Sequence, residues 1–207
     1  MNLVTAAFIA YLIGSISFAV LVSRAFGLPD PRSYGSGNPG ATNVLRTGRK
    51  AAAALALAGD ALKGWFAVMV IQQHVVAEPM VVGVAAVAVV AGHLWPLYFR
   101  FTGGKGVSTA LGVLVALDGW LAAGTIATWL IIAFFFRISS LAALGAAAFA
   151  AFFSFFLYGM GRFAPELAIG VTAISLLLVW RHRSNIRNLI AGTEGRLGSG
   201  STGSPQS

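Results

Sequence analysis

Long runs of apolar residues recur along nearly the whole chain and restrict its fold more than any other feature. A helix needs about 20 mostly apolar residues to cross the hydrocarbon core of a bilayer. Within that core, helices satisfy their backbone hydrogen bonds internally. The sequence therefore predicts an all-α, polytopic membrane protein with about seven transmembrane helices. The predicted spans are Leu3–Val22, Ala51–Ile71, Met80–Phe99, Val107–Leu117, Leu121–Phe136, Leu141–Tyr158 and Pro165–Trp180.

The composition agrees with this fold class and excludes several functions. Of the 207 residues, 57% are hydrophobic and 10% are charged, whereas soluble domains carry about 25% charged residues. The chain contains no cysteine, which excludes disulfides, thiol nucleophiles and thiolate metal sites. The net charge of +8 does not indicate nucleic-acid binding, because the basic residues flank apolar spans and no nucleic-acid-binding motif occurs.

Basic residues are concentrated in alternate loops. Short cytoplasmic loops accumulate Lys and Arg, and the loops after the first, third, fifth and seventh predicted spans contain most of them. The intervening loops contain Glu78, Asp118, and Arg162 with Glu166. This pattern predicts an N-terminus outside and a cytoplasmic C-terminus. The span at Val107–Leu117 is short, so it is tilted, extends into its flanks or does not cross fully.

Residues 1–198 are expected to form a single integral-membrane domain. The first apolar run is long for the core of a signal peptide and has no basic segment before it, so we expect a retained span. Residues 199–207 are Gly, Ser, Thr, Pro and Gln without charge. They are predicted to be a disordered tail or a cloning remnant.

Segment 35–46 (GSGNPGATNVLR) is the first of three polar segments on the predicted cytoplasmic side. Its glycines permit close backbone approach to a ligand, and successive backbone N–H groups can bind an anion. Four polar side chains and one arginine add donors suited to phosphate. A polar turn that caps the second span is the alternative. The residues concerned are Gly35, Ser36, Gly37, Asn38, Gly40, Thr42, Asn43 and Arg46.

The second polar segment, residues 92–109, surrounds Lys105 with three glycines. The backbone can fold tightly around the lysine, and a helix is expected to begin just after it, which favours anion binding. A flexible turn with one positive-inside lysine is the alternative. His93, near the end of the preceding span, is predicted to be packed and hydrogen-bonded rather than catalytic. The three glycines are Gly103, Gly104 and Gly106.

The third polar segment, residues 181–198, follows the last predicted span. If the helix continues, His182 and Asn185 are three residues apart and share one face. There they could reach a substrate hydroxyl or phosphate. The arginines of this segment are interpreted instead as a juxtamembrane anchor to anionic lipid.

Asp60 and Lys63 lie inside the second predicted span, where ionisable residues are rare. At i and i+3 they can form an ion pair that holds helices together, or they can border the polar site. They also motivate a rival hypothesis, a transporter for an anionic solute. Against it, no inverted repeat is visible and the polar segments cluster on one side. A membrane phosphatase or lipid phosphotransferase would need an acidic or nucleophilic array that we do not find.

Taken together, the polar segments resemble the bacterial acyl-phosphate-dependent glycerol-3-phosphate acyltransferases. The resemblance implies transfer of a fatty acyl group from acyl-phosphate to the 1-hydroxyl of glycerol-3-phosphate, giving 1-acyl-glycerol-3-phosphate (lysophosphatidic acid) and inorganic phosphate. It also implies a multi-pass protein of the bacterial inner membrane with its active site on the cytoplasmic side. The matching stretches are GSGNPGATNVLR at 35–46, GDALKG at 59–64, GHLWPLYFRFTGGKGVST at 92–109, and RHRSNIRNL at 181–189 with Gly192 and Glu194.

The resemblance also implies roles for particular residues. Acyl-phosphate is an activated mixed anhydride, so direct attack without an acyl-enzyme is expected. No Ser-His-Asp constellation is evident, and no acidic cluster has metal-ligand spacing, so neither a metal nor another cofactor is expected. The expected catalytic residues are Ser36, Lys105, His182 and Asn185. Those expected to bind substrate phosphate are Gly35, Gly37, Asn38, Gly40, Thr42, Asn43, Arg46, Gly103, Gly104, Gly106 and Ser140.

Overall fold

In the computed structural model, residues 1–74 and 78–197 are described, and among them only helices and loops occur. This confirms the all-helical class, while the predicted tail at residues 199–207 lies outside the described part. The ten α-helices of the described residues are α1 (Leu3–Gly14), α2 (Phe18–Ala25), α3 (Ala41–Leu45), α4 (Lys50–His74), α5 (Pro79–Leu94), α6 (Val107–Leu117), α7 (Gly119–Phe136), α8 (Ser139–Gly159), α9 (Pro165–Arg181) and α10 (Arg183–Ile190), and a 3₁₀ turn covers Leu97–Phe99.

Helix length decides which of the predicted spans can cross a bilayer. Helix α6 has 11 residues, or about 16 Å, which is roughly half of a hydrocarbon core. The prediction of a short fourth span is therefore confirmed. Helix α9 has 17 residues, while five segments of the described chain are both long and apolar enough to cross. These are Leu3–Ala25, Lys50–His74, Pro79–Phe99, Gly119–Phe136 and Ser139–Gly159.

Glycines bring neighbouring helices into backbone contact. A Cβ atom added at Gly14 of α1 would overlap the carbonyl of Val89 in α5, and one added at Gly92 of α5 would overlap Tyr11 in return. Small residues permit such close approach in membrane proteins, where apolar side chains gain little by leaving lipid. Helices α4 and α6 use the same device at Gly112.

The first apolar segment is interrupted at residues 15–17, between α1 and α2. The Ile16 carbonyl freed by this break accepts a hydrogen bond from the Lys63 ammonium of α4. The backbone N–H of Phe18 faces the Asp60 carboxylate, with 3.4 Å between N and Oδ1. Two charged side chains in the neighbouring helix therefore satisfy the broken backbone.

Asp60, Lys63, His93 and Thr109 form a polar group inside the bundle, which we call the buried charge cluster. The Lys63 Nζ atom is 2.7 Å from Asp60 Oδ1, and both side chains are at most 3% exposed. His93 Nδ1 lies 3.5 Å from Asp60 Oδ1 and 3.0 Å from Thr109 Oγ1. The predicted ion pair and the predicted packed histidine are both confirmed. With each charge neutralised inside the protein, the cluster gives no support to an ion pathway.

Candidate active site

Asn43 of α3 shapes the first glycine-rich loop. Its side-chain amide donates to the carbonyls of Pro31 at 2.7 Å and Tyr34 at 3.1 Å. Its Oδ1 atom accepts from the backbone N–H of Ser36 at 3.1 Å. Both amide hydrogens are thus used within the loop, so Asn43, expected from the sequence to bind phosphate, holds the loop backbone in place.

Arg46 lies against the glycine that this loop requires. Gly35 has a φ of +57°, a conformation that side chains disfavour. A Cβ atom there would overlap Asn43 Oδ1 and lie 3.1 Å from Cδ of Arg46. Arg46 is exposed at the end of α3 and makes no ion pair with the described residues. Its guanidinium is therefore available to an anion.

The second glycine-rich loop is clamped from two helices. Arg181 of α9 donates from Nη2 to the Gly103 carbonyl at 2.8 Å and from Nε to the Gly104 carbonyl at 3.0 Å. The Gly104 N–H donates to the His93 carbonyl at 3.1 Å. A Cβ atom at Gly104 would overlap the His93 ring and crowd the Pro39 carbonyl. The second loop thus rests on the buried charge cluster and contacts the first loop.

Lys105 stands between these clamped glycines and is partly buried. Burial lowers the pKa of its ammonium; Glu194 opposes that change, while the charges of Arg181 and Arg46 add to it. The sequence-predicted pair Arg46 and Lys105 therefore shares one electrostatic environment. No described side chain forms a hydrogen bond or ion pair with the Lys105 ammonium. Of the described residues, Glu194 is the one carboxylate that acts on Lys105, against the positive charges of Arg46 and Arg181, and this excess of positive charge favours an anionic ligand.

Glu194 ties the third polar segment to α8 and α10. Its Oε1 atom accepts from Ser140 Oγ at 2.6 Å and from Asn185 Nδ2 at 2.6 Å. Burial alone would raise the pKa of this carboxyl, but hydrogen bonds from Ser140, Asn185 and Asn188, together with the Lys105 charge, lower it below the ordinary value. Glu194 therefore stays ionised at neutral pH and positions both residues.

Two acceptor groups remain open beside this carboxylate. The Nδ1 atom of His182 donates to the Leu178 carbonyl at 2.7 Å, which leaves Nε2 as the proton acceptor. Burial lowers the pKa of His182 to about 4, so the ring is neutral at pH 7. The Oδ1 atom of Asn185 is buried and has no hydrogen-bond partner among the described residues. Buried acceptors without partners are rare in folded proteins, and a substrate hydroxyl could satisfy this one.

The structure brings most of the predicted site residues together at one end of the bundle. Arg46, Lys105, Ser140, His182 and Asn185 are linked by contact or charge to Glu194 or to one another. Ser36 is held in the first loop through its backbone N–H, which donates to Asn43, and its hydroxyl makes no hydrogen bond to the described residues of this group. Five glycines shape the two loops around Lys105 and Arg46. Gly35, Gly37 and Gly106 have positive φ, the carbonyls of Gly103 and Gly104 accept from Arg181, and Gly106 caps the start of α6.

Two residues that were predicted to bind phosphate make no described contact with this group. Thr42 is exposed on α3. The side-chain nitrogen of Asn38 lies against Gly40, which precedes that helix. Neither side chain has a hydrogen bond to the described residues around Lys105.

Two charged residues of the site were not among those predicted. Glu194 is the one acidic residue of the basic segment 181–198. A single carboxylate among arginines is the sequence feature that could have identified it as a site residue. Arg181 was interpreted as part of a lipid anchor, whereas it holds the second loop. Arg183, next to it, lies over the Trp180 ring at 4.6 Å, an arrangement that suits an interfacial residue.

Chemically, this end of the bundle can hold phosphate groups. Backbone loops, Arg46 and Lys105 supply positive potential, and His182 and Asn185 supply acceptors for a hydroxyl. Within the described residues, no group of three or more His, Cys, Asp or Glu side chains could hold a metal ion.

Known proteins share both the sequence and the fold. The glycerol-3-phosphate acyltransferase family matches residues 4–192. A glycerol-3-phosphate acyltransferase of Burkholderia pseudomallei (strain K96243) is 59% identical over 198 residues, covering 96% of this chain and 97% of the relative. One from Burkholderia lata is also 59% identical, covering 96% of this chain and 92% of the relative.

Two crystal structures of PlsY, an integral membrane glycerol 3-phosphate acyltransferase, have the same fold. The glycerol 3-phosphate form is 36% identical, with a TM-score of 0.86 over 95% of this chain and 96% of that one. The lysophosphatidic acid form is 35% identical, with a TM-score of 0.85 over 95% of each chain. With sequence and fold in agreement, the chain belongs to the glycerol-3-phosphate acyltransferase family.

Proposed function

We propose that this acyltransferase moves a fatty acyl group from acyl-phosphate to the 1-hydroxyl of glycerol-3-phosphate. The products are lysophosphatidic acid and inorganic phosphate, and the reaction is the first acylation of bacterial phospholipid synthesis. The observation that carries the proposal is that Arg46 and Lys105 form no ion pair with a described residue and lie beside the open acceptors of His182 and Asn185. Both substrates carry phosphate, so such a site suits two anions and one hydroxyl. The glycerol 3-phosphate and lysophosphatidic acid forms of PlsY support the acceptor and the product.

In the proposed mechanism, the two glycine-rich loops hold the phosphates and align the hydroxyl with the acyl carbonyl carbon. The hydroxyl oxygen forms the new ester bond, and the bond between carbonyl carbon and phosphate oxygen breaks. Inorganic phosphate leaves with that electron pair. The hydroxyl proton goes to His182 Nε2 or to a phosphate oxygen. Lys105, Arg46 and backbone N–H groups stabilise the charge that develops on the carbonyl oxygen and the leaving group.

Direct transfer is favoured over a covalent acyl-enzyme. The mixed anhydride is already activated, and in the part of the chain that the structure describes no histidine hydrogen-bonds a serine to activate it. The Ser140 hydroxyl is instead bound to Glu194. A serine nucleophile would need an adjacent base held by a third group.

We further propose seven spans in the inner membrane, with the N-terminus outside and the active site at the cytoplasmic leaflet. The positive-inside rule supports this orientation, because both glycine-rich loops and segment 181–197 carry Arg or Lys. Helix α9 would complete the count as a short span, and α6 would cross together with its flanking residues. Reaction of single introduced cysteines at positions 49 and 162 with a membrane-impermeant thiol reagent tests the orientation, since the chain has no native cysteine.

The donor is tested with the detergent-purified full chain. Phosphate release and lysophosphatidic acid formation are measured with glycerol-3-phosphate and either palmitoyl-phosphate or palmitoyl-CoA. We expect equimolar phosphate and lysophosphatidic acid from acyl-phosphate and no product from acyl-CoA. Product from acyl-CoA alone would overturn the proposed donor. A radiolabelled acyl group that stays on denatured protein would overturn direct transfer.

A further inference from the structure

A cationic cavity is formed where the end of α2 and the loop that follows it meet the 3₁₀ turn after α5. It has a volume of about 390 Å³ and is lined by Arg24, Arg32, Tyr98, Phe99 and Arg100. These residues come from the end of α2, the loop that follows it, and the 3₁₀ turn after α5 with the residue beyond. None of them belongs to the residues assigned above to acyl transfer.

The cavity carries more positive charge than its surroundings neutralise. Arg32 pairs with Asp30 through two bonds, Nε to Oδ1 at 2.9 Å and Nη2 to Oδ2 at 2.6 Å. Neither Arg24 nor Arg100 has a hydrogen bond or ion pair from its guanidinium to any described residue. The charge of Arg24 also acts on Asp30 and lowers the pKa of that carboxyl, so one carboxylate offsets three arginines. Like charges around one cavity repel each other unless an anion enters.

The walls of the cavity are held in place rather than formed by loose side chains. The Arg32 guanidinium lies over the Phe99 ring, 5.6 Å from its centroid, which ties the loop after α2 to the 3₁₀ turn. Arg100 and Phe101 have φ values of 54° and 58°. Two successive non-glycine residues in the left-handed region are uncommon, and such backbone strain concentrates at binding sites.

Apolar side chains stand next to the cavity residues in the chain and are exposed. Phe26 follows α2 and is 44% exposed, Leu97 begins the 3₁₀ turn and is 46% exposed, and Phe101 is 55% exposed. The cavity itself is lined by the rings of Tyr98 and Phe99 as well as by the three arginines. A ligand of this cavity therefore meets both guanidinium groups and aromatic rings, with further exposed apolar side chains adjacent in the chain.

We propose that this cavity binds the phosphate headgroup of an anionic membrane phospholipid. Arginine forks bind phosphate oxygens with two parallel hydrogen bonds, the Tyr98 hydroxyl can donate a further one, and the volume suits a glycerophosphate group. The shared chemistry is a phosphate ester, which a lipid or soluble glycerol-3-phosphate could supply. The neighbouring apolar rings favour the lipid.

Occupancy of the cavity also reaches the first glycine-rich loop. Arg32 precedes Gly35 by three residues, and the position of a Cβ atom at Gly37 lies 3.6 Å from the Arg32 carbonyl. A headgroup that fixes the loop at Arg32 therefore steadies the loop that leads to Arg46. We expect anionic phospholipid to raise acyl-transfer activity, and this second effect rests on the proposed function.

Binding is measured first, independently of activity. The purified chain is titrated with short-chain phosphatidylglycerol, and bound lipid is counted by native mass spectrometry. We expect R24Q/R100Q to bind at least tenfold more weakly than wild type, because it removes the two unpaired forks. R49Q/K50Q removes the same charge outside the cavity and should bind like wild type. Equal affinity in R24Q/R100Q and wild type would overturn the site.

Three further arms make the result specific. R24K/R100K keeps the positive charge, so the fold is not disturbed by a change of charge, but it lacks the guanidinium forks. Affinity equal to wild type in this variant would mean non-specific electrostatic attraction and would overturn the site. Displacement of the lipid by excess glycerol-3-phosphate would overturn the lipid assignment in favour of a soluble phosphate ester. In phosphatidylcholine nanodiscs, 30 mol% phosphatidylglycerol should raise the activity of wild type and not of R24Q/R100Q; equal stimulation of both would overturn the coupling to the loop.

Discussion

The buried charge cluster and the candidate active site contain nearly the same types of side chain but differ in how these are bonded. Each contains a lysine, a histidine, a hydroxyl group and a carboxylate. They are Lys63, His93, Thr109 and Asp60 in the cluster, and Lys105, His182, Ser140 and Glu194 in the site.

What differs is whether each polar group finds a partner inside the protein. Lys63 is bonded to Asp60 at 2.7 Å and to the Ile16 carbonyl, so its charge and two of its three N–H donors are satisfied inside the protein. Lys105 has neither kind of partner among the described residues, and Asn185 keeps a buried acceptor open. Composition alone therefore does not mark a functional site in this membrane protein; the unfilled donors and acceptors do.

Removing one partner of the cluster should produce the largest effect on stability. In Lys63→Met, Asp60 stays buried without its counter-ion, and we expect a loss of about 3–5 kcal/mol in the free energy of unfolding. Thermal unfolding of the purified protein in detergent measures it. The matched double variant D60N/K63M leaves no unpaired charge and should recover most of the loss. A single variant as stable as wild type would contradict the structural role of the pair.

Removing the lysine of the site should instead affect catalysis. For Lys105→Met we expect kcat/KM to fall by about 10²–10³, the range found when one group that stabilises transition-state charge is lost. The melting temperature should stay close to that of wild type, because Lys105 forms no ion pair within the described residues and its charge is the smallest of the influences on Glu194. Phosphate release from acyl-phosphate measures the activity, with Lys50→Met as an exposed control. Loss of stability without loss of kcat/KM would reverse the comparison between the two lysines.

The same two regions show what sequence can predict. The Asp60–Lys63 pair was predictable because its members are three residues apart on one helix, where geometry is known in advance. The helices were predictable from the length of their apolar runs, although their ends and the break at residues 15–17 were not. That break is satisfied by Lys63, 47 residues away from Ile16, and no local pattern contains such a contact.

Long-range contacts limited the prediction of the site in the same way. Segment composition located both glycine-rich loops and the residues at 182 and 185. It could not assign Arg181 to the Gly104 carbonyl, 77 residues away, or Glu194 to Ser140, 54 residues away. Asn43 illustrates a different limit. Its side-chain donors suggested phosphate binding, but in the structure they bind carbonyls of its own loop.

Lowering the pH should produce the smallest measurable effect, a loss of stability that arises at Glu194 in the candidate active site. Despite its burial, the pKa of Glu194 is lowered by hydrogen bonds and by Lys105, so the carboxylate contributes stability above the ordinary Glu value of about 4.3. That contribution is lost as pH falls through the lowered pKa. Protonation then weakens the bonds from Ser140 and Asn185, and the third segment loosens from α8.

The variant Glu194→Gln keeps an acceptor but loses the charge, so we expect activity at pH 7 to fall only a few-fold, about one hydrogen-bond contribution. Thermal stability measured from pH 3 to 7 should decline below about pH 4.3 in wild type and less steeply in the variant. Glu166→Gln, at the start of α9, is the matched control and should follow wild type. If wild type and Glu194→Gln lose stability in parallel, the carboxylate does not hold the third segment, and the open acceptor of Asn185 would need another origin.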